Sequence, residues 1–204
     1  MKISRILCIL GLWLSVSSVL TACQVFQETG DPTNALETGT PPDPADFPPE
    51  FVIIQGQQIR QWGVEAEASS EYADPEWAAK QVTGAPDTNR CGDYQTAWAT
   101  AGSDSKEWLI VRYPVAVHVT AVNIIQSFNP SQVVKVELLG AFDRAVEIFN
   151  QPPIQVDQPC PFTLPIPVEK TVGEFDAIRI TVDQSILGLG WNQIDAVELV
   201  GEAE

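Results

Sequence analysis

From Phe51 onward, apolar residues come in short runs with a period near two, and no segment carries a long stripe at the 3.6-residue period of a helix. Phe175–Asp183 is the clearest run: Ile178, Ile180 and Val182 point one way, Arg179, Thr181 and Asp183 the other. Similar β-branched runs cover Glu107–Tyr113, Val115–Ile125, Val133–Leu139, Ala145–Phe149 and Ile194–Val200, with Pro-, Gly- and Asn-containing turns between them. This pattern predicts an all-β sandwich or barrel. The one helical candidate is Pro75–Gln81, where Pro75 suits a first helical position. A domain of about 150 residues buries about 68–70% of its unfolded surface, enough for a proper core. In the last run Asp195, Val197 and Leu199 share one face and Ile194, Ala196, Glu198 and Val200 the other. Whichever face is core therefore takes a carboxylate with it, and that carboxylate must be paired, hydrogen-bonded or metal-bound.

The N-terminus has a different logic. Met1–Arg5 is short and basic, Ile6–Leu20 is apolar, and small residues precede Cys23, which is the three-part pattern of a secretory signal. The apolar stretch is shorter than the roughly 20 residues of a spanning helix. Leu20-Thr21-Ala22-Cys23 resembles the bacterial lipobox. That resemblance implies cleavage before Cys23 and acylation of its thiol, with residues 1–22 as a lipoprotein signal. The alternative is an ordinary signal with an incidental cysteine. Several acyl chains anchor stably where one is marginal, so the expected location is extracytoplasmic, held to a bacterial lipid bilayer through acylated Cys23. Residues 23–50 follow as a tether: after Cys23 come six prolines and six acidic residues with no Lys or Arg. Such a segment cannot bury enough surface to offset its ordering entropy and is expected to be a disordered linker. As a coil its length is roughly 28 Å, and as polyproline II about 84 Å. Residues 51–204 form the folded domain.

Charge and rare residues exclude several functions. The 27 acidic and 11 basic residues give a net charge of −16, which disfavours nucleic acid and anionic lipid head groups. Loss of Lys2 and Arg5 with the signal would take the net to −18. The single histidine, His118, lies inside a Val/Ala-rich run and reads as lodged rather than as a base. No HExxH, GxSxG or phosphate-loop motif is present, and no carboxylate spacing identifies a glycosidase pair. With Cys8 removed and Cys23 lipidated, Cys91 and Cys160 remain, and an exported domain favours a disulfide between them over two free thiols.

The order of residues from about Trp62 to Gly201 resembles a known family. Ala68-Ser69-Ser70-Glu71-Tyr72, Trp77 through Asp87, Cys91-Gly92-Asp93 and Ala97-Trp98 are similar to the start of a discoidin-like domain. Glu107-Trp108-Leu109, Phe128-Asn129-Pro130 and Trp191 through Leu199 continue the series. The whole resembles the galactose-binding-like superfamily, in the variant of the pappalysin scarf domain and of the discoidin-like domain of a leucine-rich-repeat F-box protein. The resemblance implies an eight-stranded antiparallel jelly-roll β-sandwich with binding loops at one end. It also implies a non-catalytic module for sugars, phospholipid heads or proteins, and in many members a structural calcium. Thr83-Gly84 stands where the carbohydrate-binding version has Asp-Gly, leaving Asp87, Asp93 and Glu198 as candidate calcium ligands; Asp87 and Asp93 read equally as turn caps. A sugar site needs exposed aromatic faces and a few fixed polar groups. Tyr72, Trp77, Tyr94 and Trp191 are the aromatic candidates, with Asp74, Arg90 and Asn192 as polar neighbours, while loop packing is the other role open to each aromatic. Trp98 and Trp108 are expected in the core. The function expected is a glycan-binding module, with a protein–protein adaptor in a surface assembly as the alternative and a glycan-processing enzyme behind both.

Overall fold

The computed structural model describes residues 51–156 and 160–203. The expected signal segment, Cys23 and the linker lie outside the described residues. Among the described residues nine strands are present: β1 (Val52–Gln55), β2 (Gln58–Trp62), β3 (Glu65–Ala68), β4 (Lys106–Phe128), β5 (Val133–Gly140), β6 (Arg144–Asn150), β7 (Phe162–Pro167), β8 (Glu174–Asp183) and β9 (Gln193–Glu202). All pairings are antiparallel. The fold class is the one expected; the strand count is nine rather than eight. The hairpin β1–β2, and the short β3 and β7, carry too few alternating apolar residues to stand out in the sequence.

The two runs on either side of Pro114 form one 23-residue strand, β4. Proline lacks a ladder N–H, and the register of β4 against β8 shifts between Arg112 and Val117. Fully buried Gln61 bridges the gap, donating from Nε2 to the Val115 carbonyl at 2.8 Å and accepting the Val115 N–H at 3.2 Å. Before the shift β4 lies between β3 and β8, and β8 leads on to β5 and β6. After it β4 lies between β9 and β7, and β9 leads on to β2 and β1. One strand thus serves both layers of the sandwich. Leu109, Val136, Ile178 and Ile180 from the first layer and Val122, Val197 and Leu199 from the second share one buried core. Gly201 of β9 meets β4 just beyond the bend, where a Cβ would come within 2.6 Å of the His118 carbonyl oxygen.

In β9 residues 193–201 are all buried, because β2 and β4 flank it and both its faces are covered. Each of its carboxylates has partners. Glu198 takes a two-pronged pair from Arg60 at 2.8 and 2.7 Å and a third bond from Asn123 at 2.8 Å. Asp195 accepts the Thr88 N–H.

Two expectations are corrected. Pro75–Gln81 is not a helix: Trp77 has φ of 55°, in the left-handed region that ends a helical run, and only Ala79–Val82 forms a short 3₁₀ turn. Trp108 is not in the core. Leu109 and Val111 take the inward positions of β4, so Trp108 faces out, half-buried, with the Arg179 guanidinium 5.3 Å from its ring centre. Trp98, as expected, is fully buried. His118 is half-buried, its Nδ1 2.8 Å from the Thr171 carbonyl oxygen.

Cys91 and Cys160 form a disulfide across 69 residues, tying the loop before Trp98 to the start of β7. Closing a loop of that length stabilises by about 4 kcal/mol on the chain-entropy model. Replacing both cysteines by serine is expected to lower the unfolding free energy by about that amount, read as a lower denaturant midpoint.

Candidate functional site

Residues 69–105, between β3 and β4, make up most of one end of the sandwich, and their anchor is Trp98. Its backbone pairs with Ile194 of β9 in both directions, at 2.8 and 3.2 Å, and its indole N–H donates to the Ser70 carbonyl at 3.0 Å. The chain on either side of Trp98 is then laced to the segment before it. Tyr72 donates its N–H to Ala99, Ala99 to Trp77, and Trp77 to Gln95, at 2.8, 3.1 and 3.1 Å. The Glu71 carboxylate accepts the Ala79 N–H at 2.7 Å.

Trp191 comes from the opposite direction, in the loop between β8 and β9. Its neighbour Asn192 is fully buried and donates to Gln126 Oε1 at 2.9 Å and to the Asn129 carbonyl at 3.0 Å, while the Asn192 N–H donates to Gln184 at 2.7 Å. Gln184 reaches on to Thr100 Oγ1 at 2.7 Å, and the Trp191 indole N–H donates to the Thr100 carbonyl at 2.9 Å. Buried amides need partners, and here that need locks two loops and the end of β4 together.

The result is an aromatic cluster. Tyr72 lies 5.2 Å from Trp77 at an interplanar angle of 74° and 5.6 Å from Trp191 at 84°. Edge-to-face contacts of this kind are favourable and orient the rings as walls. With Asp93, Ala99 and Gln193 they line a small cleft of about 40 Å³. Tyr72 is 54% exposed. Asp93 is held in place by two donors to its Oδ1, Trp77 Nε1 at 2.8 Å and Gln193 Nε2 at 2.5 Å. Beside this cleft a second one, of about 210 Å³, is lined by Asp87, Thr88, Asn89, Arg90, Tyr94 and Thr96, with the Arg90 guanidinium 5.5 Å from the Tyr94 ring centre.

The candidate residues therefore separate. Tyr72, Trp77 and Trp191 converge. Arg90 and Tyr94 line the neighbouring cleft, and Asp74 forms a surface ion pair with Lys80 at 2.8 Å. Asn192 is corrected from ligand contact to buried brace, because its side chain has no exposed surface. The carboxylates suggested for calcium do not form one site. Glu198 is taken by Arg60 and Asn123, Asp93 belongs to the aromatic cleft, and Asp87 lies beside Asp195. Among the described residues no three His, Cys, Asp or Glu side chains converge as metal ligands. Gln193, which reaches both Asp93 and the Tyr94 N–H, is not among the ligand candidates expected from the sequence; its only signal is its place beside Trp191 and Asn192.

Burial pushes the Asp195 carboxyl up from 3.8 to about 6, against the Thr88 hydrogen bonds that favour the charged form, and the nearby Asp87 charge adds to the rise.

The family described as the pappalysin-1 SD scarf domain, C-terminal, matches residues 53–204. No match was found among curated protein sequences. Among solved structures, a mutant of chitosan-binding module 1 from the chitosanase/glucanase of Paenibacillus sp. IK-5 is similar at 14% identity and a TM-score of 0.51, covering 67% of this chain and 93% of that one. CpGH89CBM32-4 from Clostridium perfringens, in complex with GlcNAc-α-1,4-galactose, is similar at 11% identity and a TM-score of 0.52, covering 67% and 89%.

A carboxyl raised in the folded state binds its proton more tightly there than in the unfolded chain. Its contribution to stability is thus full below pH 3.8 and is lost as the pH rises to about 6. Asp195→Asn is expected to remove that component of the decline, measured by urea unfolding at several pH values across the interval.

Proposed function

The chain belongs to the pappalysin SD scarf-domain family, and from that we propose that it is a non-catalytic binding module for glycans or cell-surface polymers. We further propose that it works outside the cytoplasm, with residues 1–22 a lipoprotein signal, Cys23 the lipid anchor, residues 23–50 an acidic tether and residues 51–204 the binding domain. The observation that carries the binding reading is the convergence of Tyr72, Trp77 and Trp191 beside Asp93 at one end of the sandwich. Aromatic faces with one fixed polar group are what a sugar ring's apolar face and hydroxyls need. Two solved structures of similar fold are a chitosan-binding module and a module in complex with a disaccharide, which agrees with this reading. Three carboxylates at this end are engaged as braces: Asp93 by Trp77 and Gln193, Glu71 by Ala79, and Asp195 beneath Thr88.

A second reading, as a protein–protein adaptor, has its own observation. Phe149, Pro152, Ile154, Phe162 and Leu164 line an apolar groove of about 160 Å³ formed by β6, β7 and the segment after β6, and Ile154 is 59% exposed. Grooves of this character suit apolar anchors from another chain.

A glycan array probed with the full chain, with calcium and again with a chelator, distinguishes the two. Binding to saccharides is expected, and Tyr72→Ala should weaken it about 5–10-fold, with a modest fall in melting temperature from loss of its two edge-to-face contacts. Silence on the array in both conditions would overturn the glycan reading in favour of the groove.

A further inference from the structure

Resting on the glycan reading of the aromatic cleft, we propose that the ligand is an amino sugar, bound through its protonated amino group. The donors and acceptors left at the cleft point there. The Trp77 indole N–H is spent on Asp93 and that of Trp191 on the Thr100 carbonyl. The Gln193 side chain gives one amide N–H to Asp93 and its oxygen to the Tyr94 N–H, and keeps a second N–H. Besides the second Gln193 N–H, what the cleft still offers is ring surface and the Asp93 Oδ2, the charged acceptor, which has no hydrogen bond among the described residues.

Both main features favour a cation. The face of an aromatic ring is electronegative, and a cation over Trp or Tyr is attracted to it. The three rings meet at 74° and 84°, so a small group entering the cleft meets walls rather than one flat plate. About 40 Å³ is room for one or two water-sized groups, an ammonium and not a sugar ring. The ring of the sugar would lie outside, against exposed Tyr72, with only its amino substituent inside. No basic side chain lines the cleft. Lys80 is paired with Asp74, and Arg90 stands over Tyr94 in the neighbouring cleft. A uronate or sulfate would face Asp93 with nothing opposite it, and a neutral hydroxyl gains less than an ammonium from a charged acceptor. At larger scale, a net charge of −16 draws a polycationic glycan toward the protein and repels an anionic one.

The experiment is a calorimetric titration of the full chain with a trimer of glucosamine and, separately, with its fully N-acetylated counterpart, in a buffer acidic enough to protonate the free amines. The free-amine trimer is expected to bind roughly tenfold more tightly, with the preference shrinking as salt is raised. Asp93→Asn keeps a carbonyl oxygen for Trp77 and Gln193, so it should reduce the preference to near unity, weakening the free-amine trimer more than the N-acetylated one. Equal affinities, or preference for the N-acetylated trimer, would overturn the amino-sugar assignment and leave the glycan reading standing. An unchanged preference in Asp93→Asn would overturn it as well. Polylysine binding as tightly per charge as the trimer would replace it with simple charge attraction. Failure of both trimers would overturn it too, and a silent array alongside would remove the glycan reading with it.

Discussion

The two-way backbone pairing between Trp98 and Ile194 holds the aromatic-cleft end of this molecule together. A long loop with little regular structure has few ladder bonds of its own, so its geometry must be borrowed from the sandwich. Trp98 supplies the link: a large ring with no exposed surface, a backbone that extends the edge of β9 by one bridge, and an indole N–H that captures the chain at Ser70. Once Trp98 is seated, Ala99 reaches Tyr72 and Trp77, and Thr100 reaches Trp191 and Gln184. The aromatic cluster is thus a consequence of core burial, transmitted through three consecutive residues.

Polar groups inside the protein divide the remaining work. Gln61 replaces a missing ladder bond where β4 changes layers, and Asn192, Gln126 and Gln184 brace the loops at the aromatic-cleft end. The hydrogen bonds these amides make select one arrangement of the loops over others, while Gln126 Nε2 and Asn192 Oδ1 have no partner among the described residues. Glu198 with Arg60 and Asn123 does the same on the outer face of β9, where a buried carboxylate without partners would be costly. The acidic character of the chain is therefore not uniform in meaning. Some carboxylates are structural, others lie on the solvated surface, and Asp93 does both, bracing Trp77 while lining the cleft.

Much of this was legible in the linear sequence. The alternation in β8 marks a strand because a period of two is what a sheet with one covered face requires, and the β-branched runs of β4, β5 and β9 mark strands by composition. The order of aromatic and turn residues from Trp62 to Gly201 carried the family, and the two remaining cysteines carried the disulfide. Tyr72, Trp77 and Trp191 were identifiable as candidates from their loop positions alone. Less legible were β1, β2, β3 and β7, which are short and contain exposed or proline positions, and the continuity of β4 through Pro114, which local rules read as a break.

The sequence by itself determined the class of fold, the family and the sign of the charge, because each follows from residue type, spacing and order along the chain. Only the tertiary structure decided which candidates share a site. Asn192 and Asp93 stand equally close to aromatic residues in the sequence, yet one is sealed inside the protein and the other lines the cleft. Glu198 looks like a free ligand until Arg60, 138 positions away, closes on it. Hydrogen-bond partners of buried groups are set by strand order and register, and those are properties of the folded chain that no local window contains.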